Sequence, residues 1–295
     1  MNQNSKRQPI PFDAQKLSLF AASIFLYFLG AGIARYLGDP FKVVEFWSGF
    51  LYIILLSGSG FFLQIHFDPK ELNNSVKSED NLRKNRQYLL AGLALMAAGG
   101  LLAYFIYTSP GVKPVTNLFM VFVFLVMLLY AVPPVNLKNR GYGELTLVLM
   151  AANVIPALAY SIQTGSLHGL LVLISLPLTF FFLAMVISTN LNGYLNAMLT
   201  GEKNLVIRLG WKLAMDLHDW LIVGGYIFLG IAYIRGLPWN LIWPTFIALP
   251  VFLFTIYEIH RIKNGVKPRW ALLTFSGYTG TGLVLYSLLF TLWFR

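Results

Sequence analysis

Asp68 and Glu71 stand three residues apart, a spacing that puts two carboxylates on one face of a helix, and Gln64 and His66 lie just before them. Carboxylate and amide oxygens grouped in this way are the ligands a hard divalent cation takes. The alternative is an acid at a membrane interface, paired with Lys70 beside it. A second polar run, Ser188, Thr189, Asn190, Asn192 and Asn196, offers carbonyl oxygens without an acid. Asn192 and Asn196 also suit a helix end or turn, whereas Asn190 lies deeper in the apolar stretch. Asp216 and Asp219, with His218 between them, share a helical face and form either a substitute acidic site or an interfacial group at a helix start. Glu258 and His260 read as interfacial. Lys138, Arg140, Lys203 and Arg208 carry the charge to hold an anion, or are simply loop cations on the inner side of a membrane. With no cysteine there is no thiolate metal site and no thiol nucleophile, and phosphate-loop, zinc-spacing and nucleophile-elbow motifs do not occur.

The elements that must position these residues follow from composition. Of 295 residues, 57% are hydrophobic and 12% charged. A soluble domain carries about 25% charge, so this chain cannot cover a water-exposed surface, and a soluble enzyme, a disordered chain and a disulfide scaffold are excluded. The composition indicates an all-α polytopic membrane protein in a single unit spanning 1–295. Apolar runs at 17–37, 43–66, 87–107, 114–131, 143–162, 168–193, 211–234, 238–260 and 270–293 predict nine transmembrane helices. They do not alternate as barrel strands do. The polar, basic Met1–Lys16 leads into a run too long for a signal peptide, which predicts a retained first span.

Loop charge predicts the orientation. With the N-terminus in the cytoplasm, seventeen of the 22 Lys and Arg lie on the inner side, and only Arg35, Lys42, Lys113, Arg235 and Arg295 lie outside. The C-terminus is then outside, and the net charge of +10 needs no nucleic acid to explain it. Two long polar inner loops, about 67–86 and 194–210, follow spans two and six. They suggest a weak four-helix repeat, about 17–131 and 143–260, followed by a ninth helix at 270–293. Polar groups at the inner ends of two matching spans are expected to line a cavity.

Two segments carry a resemblance. Tyr130-Ala-Val-Pro-Pro-Val-Asn-Leu-Lys138, followed by Arg140-Gly-Tyr-Gly-Glu144-Leu, resembles the fourth-to-fifth loop of the UbiA superfamily of intramembrane prenyltransferases. Thr200-Gly-Glu-Lys-Asn-Leu-Val-Ile-Arg-Leu-Gly210 resembles that family's G-K-x-T-L-x-x-R-L-G segment, and the nine spans with long loops after spans two and six also fit. Gly-Tyr-Gly-Glu-Leu and Gln163-Thr-Gly165 are nearest in flavour to the branch acting on naphthoate-type quinone precursors. The resemblance implies a helical bundle around a central cavity, in a bacterial inner (cell) membrane. It implies transfer of an isoprenyl group from a prenyl diphosphate to an aromatic or lipid acceptor, assisted by Mg2+.

The resemblance also implies site residues. Asp68 would be catalytic and, with Asn190, would hold the metal, while Gln64, Tyr130, Lys138, Asn190 and Arg208 would bind substrate. Tyr130 reads equally as a belt aromatic. The family's aspartate-rich motifs, N-D-x-x-D-x-x-x-D and D-x-x-x-D, are mostly gone here. The first falls on Gly60, Phe61, Gln64 and Asp68, the second on Gly193 and Ala197. An amide oxygen can ligate Mg2+ but lacks the charge that holds it. The alternative to an enzyme is therefore a membrane protein that binds an isoprenoid or quinone lipid without turnover; a transporter of an amphiphile is a third reading, for which no paired ion site is visible.

Overall fold

The computed structural model describes residues 14–294 except 70, 71, 73–77, 110, 111 and 202, with side chains from Ala21 onward. The described residues form nine long helices and no strand. They are α1 (Ala14–Tyr36), α2 (Val43–His66), α3 (Glu79–Thr108), α4 (Pro114–Ala131) and α5 (Gly143–Thr164), then α6 (Gly169–Leu191), α7 (Trp211–Ile234), α8 (Trp239–Lys263) and α9 (Trp270–Trp293). The helices α2 to α9 are each long and apolar enough to cross a membrane; the described apolar part of α1 is Ala21–Tyr36. In lipid an unpaired peptide group is costly, so apolar runs of this length close their hydrogen bonds within the segment. The apolar windows foretold these helices closely. The exception is α3, which starts at Glu79 and so carries its charged N-terminal part, Glu79 to Arg86, as helix beyond the apolar run. The loop 194–210 also contains two short helices, Tyr194–Thr200 and Leu205–Leu209.

Water-driven burial cannot hold helices together in lipid, so close backbone approach and interhelical hydrogen bonds do that work. Residue Gly30 of α1 lies against α5 so tightly that a Cβ there would sit 2.1 Å from the Pro156 carbonyl oxygen. At Gly92 the same role is played between α3 and Leu63 of α2. Hydroxyl and indole donors reach backbone carbonyls of neighbouring helices: Tyr27 to Phe46, Tyr52 to Met120, Ser59 to Gly92, Thr116 to Ser161, Thr281 to Phe181 and Trp293 to Phe28, at 2.7–3.2 Å. Contacts of α1 with both α5 and α9 close the bundle. A wide π turn at Met150–Val154 interrupts α5 just before Pro156, which has no N–H to continue the regular ladder.

Candidate functional site at the inner helix ends

The loop joining α4 to α5 is built to stay in one shape. Its Asn136 adopts a left-handed conformation (φ 40°), and its side chain caps the 3-10 turn Leu137–Arg140 by accepting from Asn139 N–H. The turn ends at Gly141, φ 79°. A Cβ on Gly141 would lie 2.9 Å from Arg208 Nε, and one on Gly143 would lie 2.8 Å from Lys138 Cα. The two glycines of Gly-Tyr-Gly-Glu144 are therefore required, one for a positive φ and passage of an arginine, the other for close packing of the turn on the start of α5.

Three elements converge on this loop. From the end of α2, Asp68 Oδ2 accepts from Lys138 Nζ at 2.9 Å, with the two side chains 28% and 15% exposed. At the end of α6, Asn190 Nδ2 donates to Glu144 Oε1 in the first turn of α5, a long bond of 3.4 Å. Across the inner loop between α6 and α7, Arg208 Nε donates to the Arg140 carbonyl at 2.7 Å. Its NH1 group donates to the Tyr142 hydroxyl at 2.8 Å, and its guanidinium lies 4.1 Å from the centre of the Tyr142 ring. The short helix carrying Arg208 is fixed at its start by Asn204, whose Oδ1 accepts from Ile207 N–H at 2.8 Å. In turn Arg140 donates to the Pro134 carbonyl.

The structure thus links the sequence-predicted residues pairwise through one loop: Asp68 to Lys138, and Arg208 and Asn190 to residues 140–144. Buried Gln64 lies one helical turn before Asp68. Tyr130 is also buried, clustered with Leu63 and Ala131. Sequence reasoning did not nominate Glu144 or Tyr142, although both lie in the quoted Gly-Tyr-Gly-Glu segment. The signal for Glu144 was an acid in a helix's first turn, where the helix dipole favours negative charge. His66 Nδ1 lies 3.1 Å from the backbone carbonyl oxygen and Oδ1 of Asn85 in α3 and so ties two helices together. A groove of about 350 Å3, lined by Tyr52, Tyr104, Asn117 and Met120 among others, lies toward the opposite end of α2, α3 and α4 and contains none of these residues.

The second acidic group has a different setting. The helix α7 begins at Trp211, so Asp216 and Asp219 are well inside it. Both are bound by Lys263 of α8, at 2.9 and 2.8 Å, and Asp219 is also 3.1 Å from His218 and 3.4 Å from His260. Glu258, read from sequence as interfacial, is buried between Arg261 and Arg269. The bond to Glu258 raises the pKa of Arg269 further above its already high ordinary value.

Magnesium takes a nearly octahedral set of oxygens, in which one or two protein carboxylates join waters and substrate phosphates. Among the described residues no three His, Cys, Asp or Glu side chains form a group able to hold a metal ion. At Asp68 the carboxylate already faces an ammonium, and Asn190 brings no charge. The described residues do not fit a resident Mg2+.

No protein-family model matches the chain, and no curated protein sequence matches it. Solved structures do. A digeranylgeranylglyceryl phosphate synthase structure aligns over 96% of this chain and 99% of its own, with a TM-score of 0.64 and 16% identity. A UbiA homologue from Archaeoglobus fulgidus, bound to GPP and Mg2+, aligns over 95% of this chain and 100% of its own, with a TM-score of 0.64 and 17% identity. A UbiA homologue from Archaeoglobus fulgidus bound to Cd2+ aligns over 93% of this chain and 99% of its own, with a TM-score of 0.60 and 15% identity. At these identities the likeness is one of fold, and it runs nearly end to end: this chain is an integral membrane protein built on the UbiA fold.

Proposed function

We propose that the chain is a divergent UbiA-type intramembrane prenyltransferase, moving an isoprenyl group from a prenyl diphosphate to an aromatic or lipid acceptor in quinone or related isoprenoid synthesis. The observation that carries this reading is the convergence of Lys138, Asp68, Asn190 and Arg208 on one loop at the inner helix ends. The homologue structures with GPP or DMAPP bound support the substrate class. In the reaction the C1–O bond of the prenyl ester breaks and its electron pair leaves with diphosphate. An electron pair of the acceptor forms the new bond to C1, and the acceptor's proton passes to solvent. The ammonium of Lys138 and the guanidinium of Arg208 stabilise the departing charge through charge-assisted hydrogen bonds. The described residues do not fit Mg2+, and Asp68 serves to orient Lys138.

A second reading, binding of an isoprenoid or quinone lipid without turnover, is favoured by Gly193 and Ala197 standing where carboxylates belong in the resembled motif. The proposed setting is a bacterial cell membrane with the N-terminus inside and the C-terminus outside, on the strength of the loop charges. The test is purified protein in lipid nanodiscs with radiolabelled geranyl diphosphate and a panel of quinone precursors. Transfer that fails in both Lys138→Ala and Arg208→Ala supports the enzyme. Binding without transfer supports the second reading, and absence of binding overturns both.

A further inference from the structure

The pair formed by Asp68 and Lys138 has a consequence for how this fold handles an anion. The lysine is not a loose surface charge. It sits in the 3-10 turn Leu137–Arg140, which Asn136 caps at one end. At the other end Arg140 donates to the Pro134 carbonyl and accepts from Arg208. The fixed turn delivers the ammonium to 2.9 Å from Asp68 Oδ2, and both side chains are more buried than exposed. A divalent cation bound to that oxygen would lie within a few ångströms of the ammonium, where two like charges repel strongly. Among the described residues it would also find little else to hold it. The side chain of Glu144 is bonded by Asn190, Asp216 and Asp219 by Lys263, and Glu258 by two arginines. Positions 61, 193 and 197 are Phe, Gly and Ala, with no ligand to offer.

We infer that Lys138 is a built-in counter-ion that takes the place of a divalent metal at Asp68, so that the inner-end site binds a prenyl diphosphate without magnesium. The lysine is then the group that touches the ligand, and Asp68 is a positioning residue that fixes where its charge is presented. The part concerning the ligand rests on the proposed function; the part concerning the cation does not.

The experiment uses the full chain in nanodiscs and has two arms. In the first, Mn2+ alone is titrated and its free signal followed by electron paramagnetic resonance, with no prenyl compound present. Wild type and Asp68→Asn are expected to take up Mn2+ within twofold of each other. Uptake by wild type ten times tighter than by Asp68→Asn overturns the inference. In the second arm, geranyl diphosphate binding is measured in EDTA and in millimolar Mg2+. Wild-type affinity is expected to change less than threefold between them. Lys138→Ala should lose tenfold or more in EDTA, and Lys138→Arg, which keeps the charge, should recover most of it. Binding by wild type that requires Mg2+ overturns the inference, as does unchanged binding by a folded Lys138→Ala. Should geranyl diphosphate bind under neither condition, the proposed function fails, and the Mn2+ arm alone decides the counter-ion role.

Discussion

The C-terminal end of α2 and the N-terminal part of α7 both bring acids to lysine, yet the two regions are held together by different means. At α7 one ammonium, Lys263, bridges two carboxylates on a neighbouring helix, with His218 and His260 completing the group. The charges there are the fastening of α7 to α8. At α2 the fastening is geometric: a capped turn, a left-handed glycine and donors aimed at backbone carbonyls. The Asp68–Lys138 pair is added to a loop that is already fixed. A carboxylate whose ion pair carries the packing between two helices is not available to a site, and one that rests on a prebuilt loop is. On this ground we assign the two acids in α7 to packing and propose Asp68, just after α2, for the site.

The sharpest way to break this comparison is Lys263→Ala. It leaves Asp219, whose side chain is 18% exposed, facing only histidines. Removing one partner of a buried pair costs 3–5 kcal/mol, and partial exposure of Lys263 lowers the figure here to about 2–3 kcal/mol. Thermal unfolding in detergent should move down by roughly 5 °C or more, with geranyl diphosphate affinity unchanged in the folded fraction. Loss of affinity at full stability would instead assign α7 to the site.

The next effect tests the geometric fastening. Gly141→Ala forces a side chain into positive φ and into the space of Arg208. The expected destabilisation is about 1–2 kcal/mol, accompanied by weaker anion binding because Arg208 must shift. Unchanged binding and stability would show that the loop adapts freely and that its shape does not set the site.

These two regions also mark what the sequence could reveal. Helix positions were legible because apolar length is a one-dimensional property, and the inner end of α3 was missed because helix can continue past the apolar run into charge. The glycines and Glu144 of Gly-Tyr-Gly-Glu were visible as a pattern. Their reasons were not, since Gly141 makes way for Arg208, Gly143 packs on Lys138 and Glu144 accepts from Asn190. Likewise Asp216 and Asp219 could be placed on one face of a helix, but whether that face meets a cation depends on Lys263 of another helix. Spacing reports which side chains share an element; it does not report what the facing element brings.

A smaller stability effect is expected for Asp68→Asn. The loop behind it holds without it, but Lys138, 15% exposed, loses that carboxylate, so the loss should be about 1 kcal/mol. Ligand affinity should nevertheless fall several-fold, because Lys138 loses the partner that fixes its direction. A large drop in melting temperature would place Asp68 with the structural acids and erase the distinction between the regions.

The smallest effect concerns His260, and it sharpens the account of the α7 group. Its Nε2 lies 3.4 Å from Asp219 Oδ2, farther than Lys263 at 2.8 Å, and the ring is 58% exposed. A long contact from an exposed ring, in competition with a closer ammonium on the same oxygen, contributes little. His260→Ala should change stability by less than about 0.5 kcal/mol, and the difference should be the same in low and high salt, because the closer Lys263 pair dominates the field at Asp219. Urea or thermal melts of wild type and variant at two ionic strengths measure this. A loss above about 1 kcal/mol, growing as salt is lowered, would mean that His260 carries a working charge in the network. The fastening of α7 to α8 would then be a four-residue ionic cluster and not the bridging of two carboxylates by one lysine.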